Sequence, residues 1–173
     1  MNKIIVRRIS KNAIMLALLC IIGMFALPLG DNIKVSLQLL MVFIIGLTAS
    51  TVFDGLIVTG LYVALGLFMP IYAGFNAGIT PTFGFVVSFP VIIVPLYFLN
   101  KLKIKNQFIR MGLACLVALI LCYAISWLFL SLYTGLSMEK ALLIAVVPYI
   151  PFDIAKIIIA TLVVSLLPKK VVS

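Results

Sequence analysis

Asp153 and Lys156 stand three residues apart in Pro151-Phe-Asp153-Ile-Ala-Lys156, which opens the last apolar segment of the chain. At helical spacing, positions i and i+3 share one face. A charge at membrane depth costs about 2.5–3.5 kcal/mol on insertion scales. A charged pair in such a segment therefore either lines a polar cavity or neutralises itself as a structural pair. As a site, it offers an acceptor and a donor side by side. That suits a small ligand carrying N–H together with carbonyl or carboxylate groups. Asn76 adds an amide with both capacities. Tyr72, Phe75, Phe83, Tyr149 and Phe152 are candidates for an apolar wall. Gln38 has two readings, a hydrogen bond between packed helices or a ligand contact.

These residues need a scaffold, and composition says which kind. The chain has 173 residues, 65% hydrophobic and 10% charged. A soluble domain of this size does not have that balance, so the expected fold is an all-α integral membrane protein. The net charge of +9 does not point to nucleic acid, because the basic residues fall at the ends of apolar runs. The chain lacks histidine and a phosphate-binding Gly-x-x-x-x-Gly-Lys loop, and its four acids are scattered. No catalytic set, metal site or cofactor is expected, and the protein is not expected to be an enzyme. Cys20, Cys115 and Cys122 read as small buried hydrophobes. The basic, then apolar, N-terminus resembles a signal peptide but is followed by similar runs, so it reads as a retained first span. There is no repeat of the kind secondary transporters use, and no visible energy source.

One transmembrane domain over residues 1–173 is expected, with six spans near 12–27, 35–53, 56–69, 83–99, 111–133 and 151–167. A basic stretch precedes the first, and Pro28-Leu-Gly30-Asp31 closes it as a turn. Ala13 and Ala17 form a small-xxx-small spacing that admits another helix closely. Asp54-Gly55 reads as a tight turn. The stretch 70–85 holds three glycines and two prolines among aromatics and no charge. It reads as a lid or site wall, or as a connecting loop anchored by aromatics. Pro90 and Pro95 fall inside the fourth span. The connection 134–150 has room for a short interfacial helix, and Pro151 suits a helix N-terminus. With both termini inside, ten basic residues lie at inner ends and two, Lys34 and Lys140, in outer loops. That asymmetry places both termini in the cytoplasm and the Asp153/Lys156 pair near the outer face.

Three segments then carry a resemblance. They are Pro28-Leu-Gly30 with Val35-Ser-Leu-Gln38; Pro70-Ile-Tyr-Ala-Gly74 through Thr80-Pro81-Thr82-Phe-Gly84-Phe85 to Phe89; and Pro151-Phe-Asp153-Ile-Ala-Lys156. In order and spacing they resemble the BioY family, the biotin-specific substrate-binding (S) components of energy-coupling factor (ECF) vitamin transporters. The resemblance implies a six-helix S-component fold in a prokaryotic plasma membrane, with a vitamin pocket near the outer face. It implies biotin uptake driven by partners, a transmembrane coupling subunit and two ABC ATPases. It carries Asp153, Lys156 and Asn76 into the ligand site, and makes Ala13 and Ala17 the face that docks on the coupling subunit. The chain also departs from the family pattern. Phe75 and Asn76 follow Gly74 where paired glycines are usual, Thr80 and Phe83 replace glycines, and no arginine lies within 70–100. These departures leave a related small acid such as lipoate as the alternative ligand. A stand-alone membrane carrier and a ligand-free membrane scaffold are the other readings.

Overall fold

The computed structural model describes residues 3–28 and 34–168. In chain order these form α1 (Lys3–Met24), β1 (Ala26–Pro28), β2 (Lys34–Ser36), α2 (Gln38–Thr48), α3 (Val52–Gly66), α4 (Phe83–Leu99), α5 (Gln107–Thr134), α6 (Met138–Ala145) and α7 (Ile150–Leu166). A single 3-10 turn, Val147–Tyr149, leads into α7. Six of these helices, α1 to α5 and α7, follow the order of the six expected spans, with bounds that differ for the first three. The antiparallel β1–β2 hairpin, with Leu27 opposite Val35, was not legible in the sequence.

Helix α4 is the hub. It packs along α5 and against α3 and α2, while α2 also lies on α7, and α1 closes over α3 and α2. Nine of the eleven residues of α2 are buried, so it is apolar on every side because it has neighbours on every side. Phe43, Phe89, Ile92, Ile93 and Leu96 are fully buried in the core. At Gly46, a Cβ would fall 2.7 Å from Leu96; α2 and α4 meet there too closely for alanine. The outside is apolar as well, with Phe53, Phe68, Leu132 and Leu166 each exposing more than two-thirds of their surface. Such a surface belongs against lipid.

Local chemistry explains the helix ends. Asn106 caps α5 by accepting from the Phe108 and Ile109 N–H groups, and Gly135 ends it in the left-handed conformation at φ 69°. Pro151 falls in the first turn of α7, where its missing N–H leaves no helical bond unmade. Pro90 and Pro95 lie inside α4, which continues through both, held by its neighbours. The short helix expected in the 134–150 connection is α6, tied to α5 by the Trp127 indole N–H donating to the Met138 carbonyl at 2.7 Å.

Three expectations are corrected. The stretch 1–11, read as a flank, is helical from Lys3 onward and forms the first half of α1. Its polar groups have partners across the bundle. Arg8 donates to Asp54 Oδ2 at 2.9 Å and to Thr51 Oγ1 at 3.0 Å, and Asn12 donates to Asp54 Oδ1 at 2.8 Å. Second, Asp54-Gly55 is not a turn. Thr51 caps α3, and Asp54, three residues on, returns the bond to the Thr51 N–H, a capping box that the apolar run obscured. The break falls at Ala49, extended at ψ 131°. Third, the second and third spans shift accordingly: α2 stops at Thr48 rather than reaching 53, and α3 is Val52–Gly66 rather than 56–69. Of the turn expected at Pro28-Leu-Gly30-Asp31, all but Pro28 lies outside the described residues, as do Lys169 and Lys170.

Candidate functional site

A cavity of about 370 Å³ lies where α2, α4 and α7 begin. Ser36, Gln38 and Leu39 line it from the entry to α2, and Phe85, Val86 and Phe89 from the first turns of α4. Tyr149, Asp153 and Lys156 line it from the start of α7, and Tyr72, Ala73, Asn76 and Thr80–Thr82 from the α3–α4 loop. Its size is that of a small-molecule site. Three helix N-termini therefore converge on one chamber, and none has a side-chain cap. Their partial positive ends favour an acidic group in the first turn, where Asp153 sits.

Asp153 and Lys156 are 2% and 6% exposed. The ammonium donates to Asp153 Oδ1 at 2.6 Å, and the Tyr123 phenol of α5 donates to Asp153 Oδ2 at 2.6 Å. Lys156 keeps two further N–H donors, and each Asp153 oxygen keeps acceptor capacity. The pair is thus neutral as a unit but able to donate and accept at once.

The loop between α3 and α4 forms the opposite wall. Tyr72 and Asn76 bridge each other, Tyr72 N–H to the Asn76 carbonyl at 3.0 Å and Asn76 N–H to the Tyr72 carbonyl at 3.3 Å. Between them Gly74 and Phe75 both take positive φ, 74° and 58°. Glycine does so freely and phenylalanine only under strain. The loop is pinned by Gly74 N–H on the Met24 carbonyl and Gly78 N–H on the Gly66 carbonyl. The Tyr133 phenol also donates to the Ile79 carbonyl at 3.3 Å. Tyr72 is buried, its ring against Gly66 where no side chain would fit, and its hydroxyl donates to the Val63 carbonyl at 2.6 Å. Burial pushes that phenol up to about 12, so it stays a donor throughout the physiological range. Asn76 donates from Nδ2 to the Ala73 carbonyl at 2.7 Å.

Of the residues singled out from sequence, Asp153, Lys156, Asn76, Tyr72, Tyr149 and Gln38 meet at this cavity. Gln38 fulfils both of its readings geometrically: it lines the chamber, and its Nε2 donates to the Tyr62 hydroxyl at 2.6 Å between α2 and α3. Three candidates for the wall are not part of the lining. Phe75 turns outward, 62% exposed, edge-on to Phe25, because the left-handed backbone points it away. Phe83 is buried behind Tyr72 against Phe129. Phe152 is 38% exposed on the outer side of α7. Sequence reasoning missed Phe85 and Phe89, whose i,i+4 spacing on α4 was the available signal. It also missed Tyr123, whose partner lies thirty residues on.

Ala13 and Ala17 are not part of this lining and are exposed on α1.

Compared with known proteins, the model of the BioY family matches residues 1–172. The chain belongs to the BioY family. Among BioY proteins it is 27% identical to the probable biotin transporter BioY of Pyrococcus horikoshii, over 91% of this chain and 93% of that one. It is 28% identical to the biotin transporter BioY of Thermotoga maritima, over 94% and 96%. In fold it is similar to the S-component for biotin from an ECF-type ABC transporter, at TM-score 0.81 and 24% identity over 95% of this chain and 92% of that one. This BioY-family chain is therefore a membrane protein with the S-component fold.

Proposed function

We propose that this chain is the substrate-binding membrane subunit of an ECF-type transporter and captures biotin in the α2–α4–α7 chamber. The observation that carries the reading is the buried Asp153–Lys156 pair facing that chamber, in a chain whose relatives are described as biotin transporters. A cyclic urea presents N–H donors and a carbonyl acceptor on one edge. Asp153 accepts an N–H, Lys156 donates to a carbonyl or carboxylate, and Asn76, with one N–H already held by Ala73, offers its carbonyl oxygen. Tyr72, Phe85, Phe89 and Tyr149 pack on the apolar rings and tail, and Gln38 bounds the chamber beside α2. The loop around Tyr72–Asn76 closes over the ligand.

The chain forms a single transmembrane domain that crosses a prokaryotic plasma membrane several times, with both termini in the cytoplasm. Its partners are a transmembrane coupling subunit and two ABC ATPases. The exposed Ala13–Ala17 stripe lets the coupling subunit approach α1 closely. ATP hydrolysis in those partners reorients the subunit and releases the ligand inward.

Calorimetry on the purified protein tests the site. Biotin binds the native chain, and Asp153→Asn or Lys156→Ala weakens it by about 100-fold, the cost of leaving one buried charged partner unpaired. Unchanged affinity in both variants would sink the assignment. A thermal-shift screen with biotin, lipoate, thiamine and riboflavin decides the ligand, since stabilisation by lipoate and not by biotin moves the reading to the related acid. Uptake into liposomes without the ATPases would make the protein a stand-alone carrier.

A further inference from the structure

We propose that Tyr123 is the positioning residue of the ligand site and acts through Asp153. This rests on the reading of Asp153 as a ligand acceptor. Tyr123 belongs to α5, is not part of the cavity lining, and reaches α7 from the side. Its phenol donates to Asp153 Oδ2 at 2.6 Å, while Lys156 donates to Oδ1 at 2.6 Å. A carboxylate turns easily about its last side-chain bond. Two donors on opposite oxygens, one from its own helix and one from a neighbouring helix, leave it a single plane. Asp153 is 2% exposed, so bulk water does not replace a lost donor. The ring is held edge-on to Phe85 at 6.5 Å, and Phe85 is itself a cavity wall. The α4 helix that packs on the ligand thus also sets the phenol that orients the acceptor.

Without the phenol, the carboxylate is free to swing toward Lys156 and engage the ammonium with both oxygens. The ligand then loses an aimed acceptor, and Lys156 loses donors that would otherwise face the chamber. The effect is on ligand recognition more than on folding, because Tyr123→Phe keeps the ring and its contact with Phe85.

A double-mutant cycle tests this with biotin as the probe. Calorimetry is run on the native chain, Tyr123→Phe, Asp153→Asn and the double variant, with thermal unfolding of each ligand-free protein alongside. Tyr123→Phe binds biotin about tenfold more weakly, the effect of one hydrogen bond to a charged group. In the Asp153→Asn background the same substitution changes affinity by less than about twofold, the limit expected when the two residues act as one unit. Equal losses in both backgrounds, or no loss in the native one, overturn the proposal and return Tyr123 to a packing role. A second measurement needs no ligand. With carbon-13-labelled aspartate, the infrared carboxylate band that Asp153→Asn removes shifts in Tyr123→Phe, and an unshifted band overturns the proposal independently. Should the native chain not bind biotin, the functional reading fails, while the infrared band still decides whether Tyr123 orients Asp153.

Discussion

Removing one member of a buried ion pair strands the other charge, whereas replacing both strands none. Asp153→Leu and Lys156→Met are each expected to destabilise the protein by about 3 kcal/mol. The double variant recovers most of that loss in thermal unfolding while binding no biotin. A double variant no more stable than either single would show that the two charges are not coupled. At Phe75 the backbone, not the ring, sets the energetics. Because φ is 58°, Phe75→Gly is expected to be more stable than Phe75→Ala by about 1 kcal/mol, measured by the same unfolding assay. Equal stabilities would mean that the left-handed conformation carries no strain. At this scale Asp153 and Lys156 were legible because charge is scarce in the sequence and their spacing puts them on one face. The direction of an aromatic ring was not legible. Residue type nominated Phe75, Phe83 and Phe152 equally with Tyr72 and Tyr149, and only backbone geometry separates them.

Between elements, polar contacts concentrate at the turn joining α2 to α3. Asp54 accepts from Arg8, Asn12 and Thr51, so one carboxylate both caps α3 and ties α1 to it. Asp54→Ala is expected to lower stability by about 2 kcal/mol, the sum of a lost cap and charged hydrogen bonds. Arg8→Ala, whose side chain is 39% exposed, costs less, about 1 kcal/mol or below. Chemical or thermal unfolding in detergent separates the two, and the reverse order would show that Asp54 does not organise this turn. The number and order of long helices could be read from apolar runs, but the boundary between the second and third could not. The run is apolar almost throughout, so hydropathy carries no break. The signal was Thr51-x-x-Asp54, which marks a helix start three residues before the residue read as a turn. The β1–β2 hairpin was hidden differently, its strands being three residues each and lacking an alternating pattern long enough to stand out.

For the molecule as a whole, charge asymmetry makes a prediction about sidedness. In a Cys20→Ala background, Lys103→Cys in the α4–α5 connection is expected to react with a membrane-impermeant maleimide only from the cytoplasmic side, and Lys140→Cys on α6 only from outside. Cys115 and Cys122 are fully buried and stay silent. The opposite labelling pattern would invert the proposed orientation. The membrane class was legible because composition alone demands it, and the order of the long helices because separate apolar runs mark them. Much of the chamber's lining was nominated from residue type and from the family resemblance, but its position was not, because it forms where three helices that are distant in sequence start.

Helix α2 is only about 16 Å long at 1.5 Å per residue, barely half a bilayer core of about 30 Å. It begins at the chamber and ends where Lys11 and Asn100 hold the carbonyls of Thr48 and Leu47, at 2.5 Å and 2.9 Å. The void beside that end, next to Asp54, is about 10 Å³, room for a single water. Among the described residues, the way from the chamber along α2 therefore ends at two hydrogen-bonded carbonyls and a one-water void. A helix too short to span the core by itself is in this way sealed at the end that faces away from the chamber.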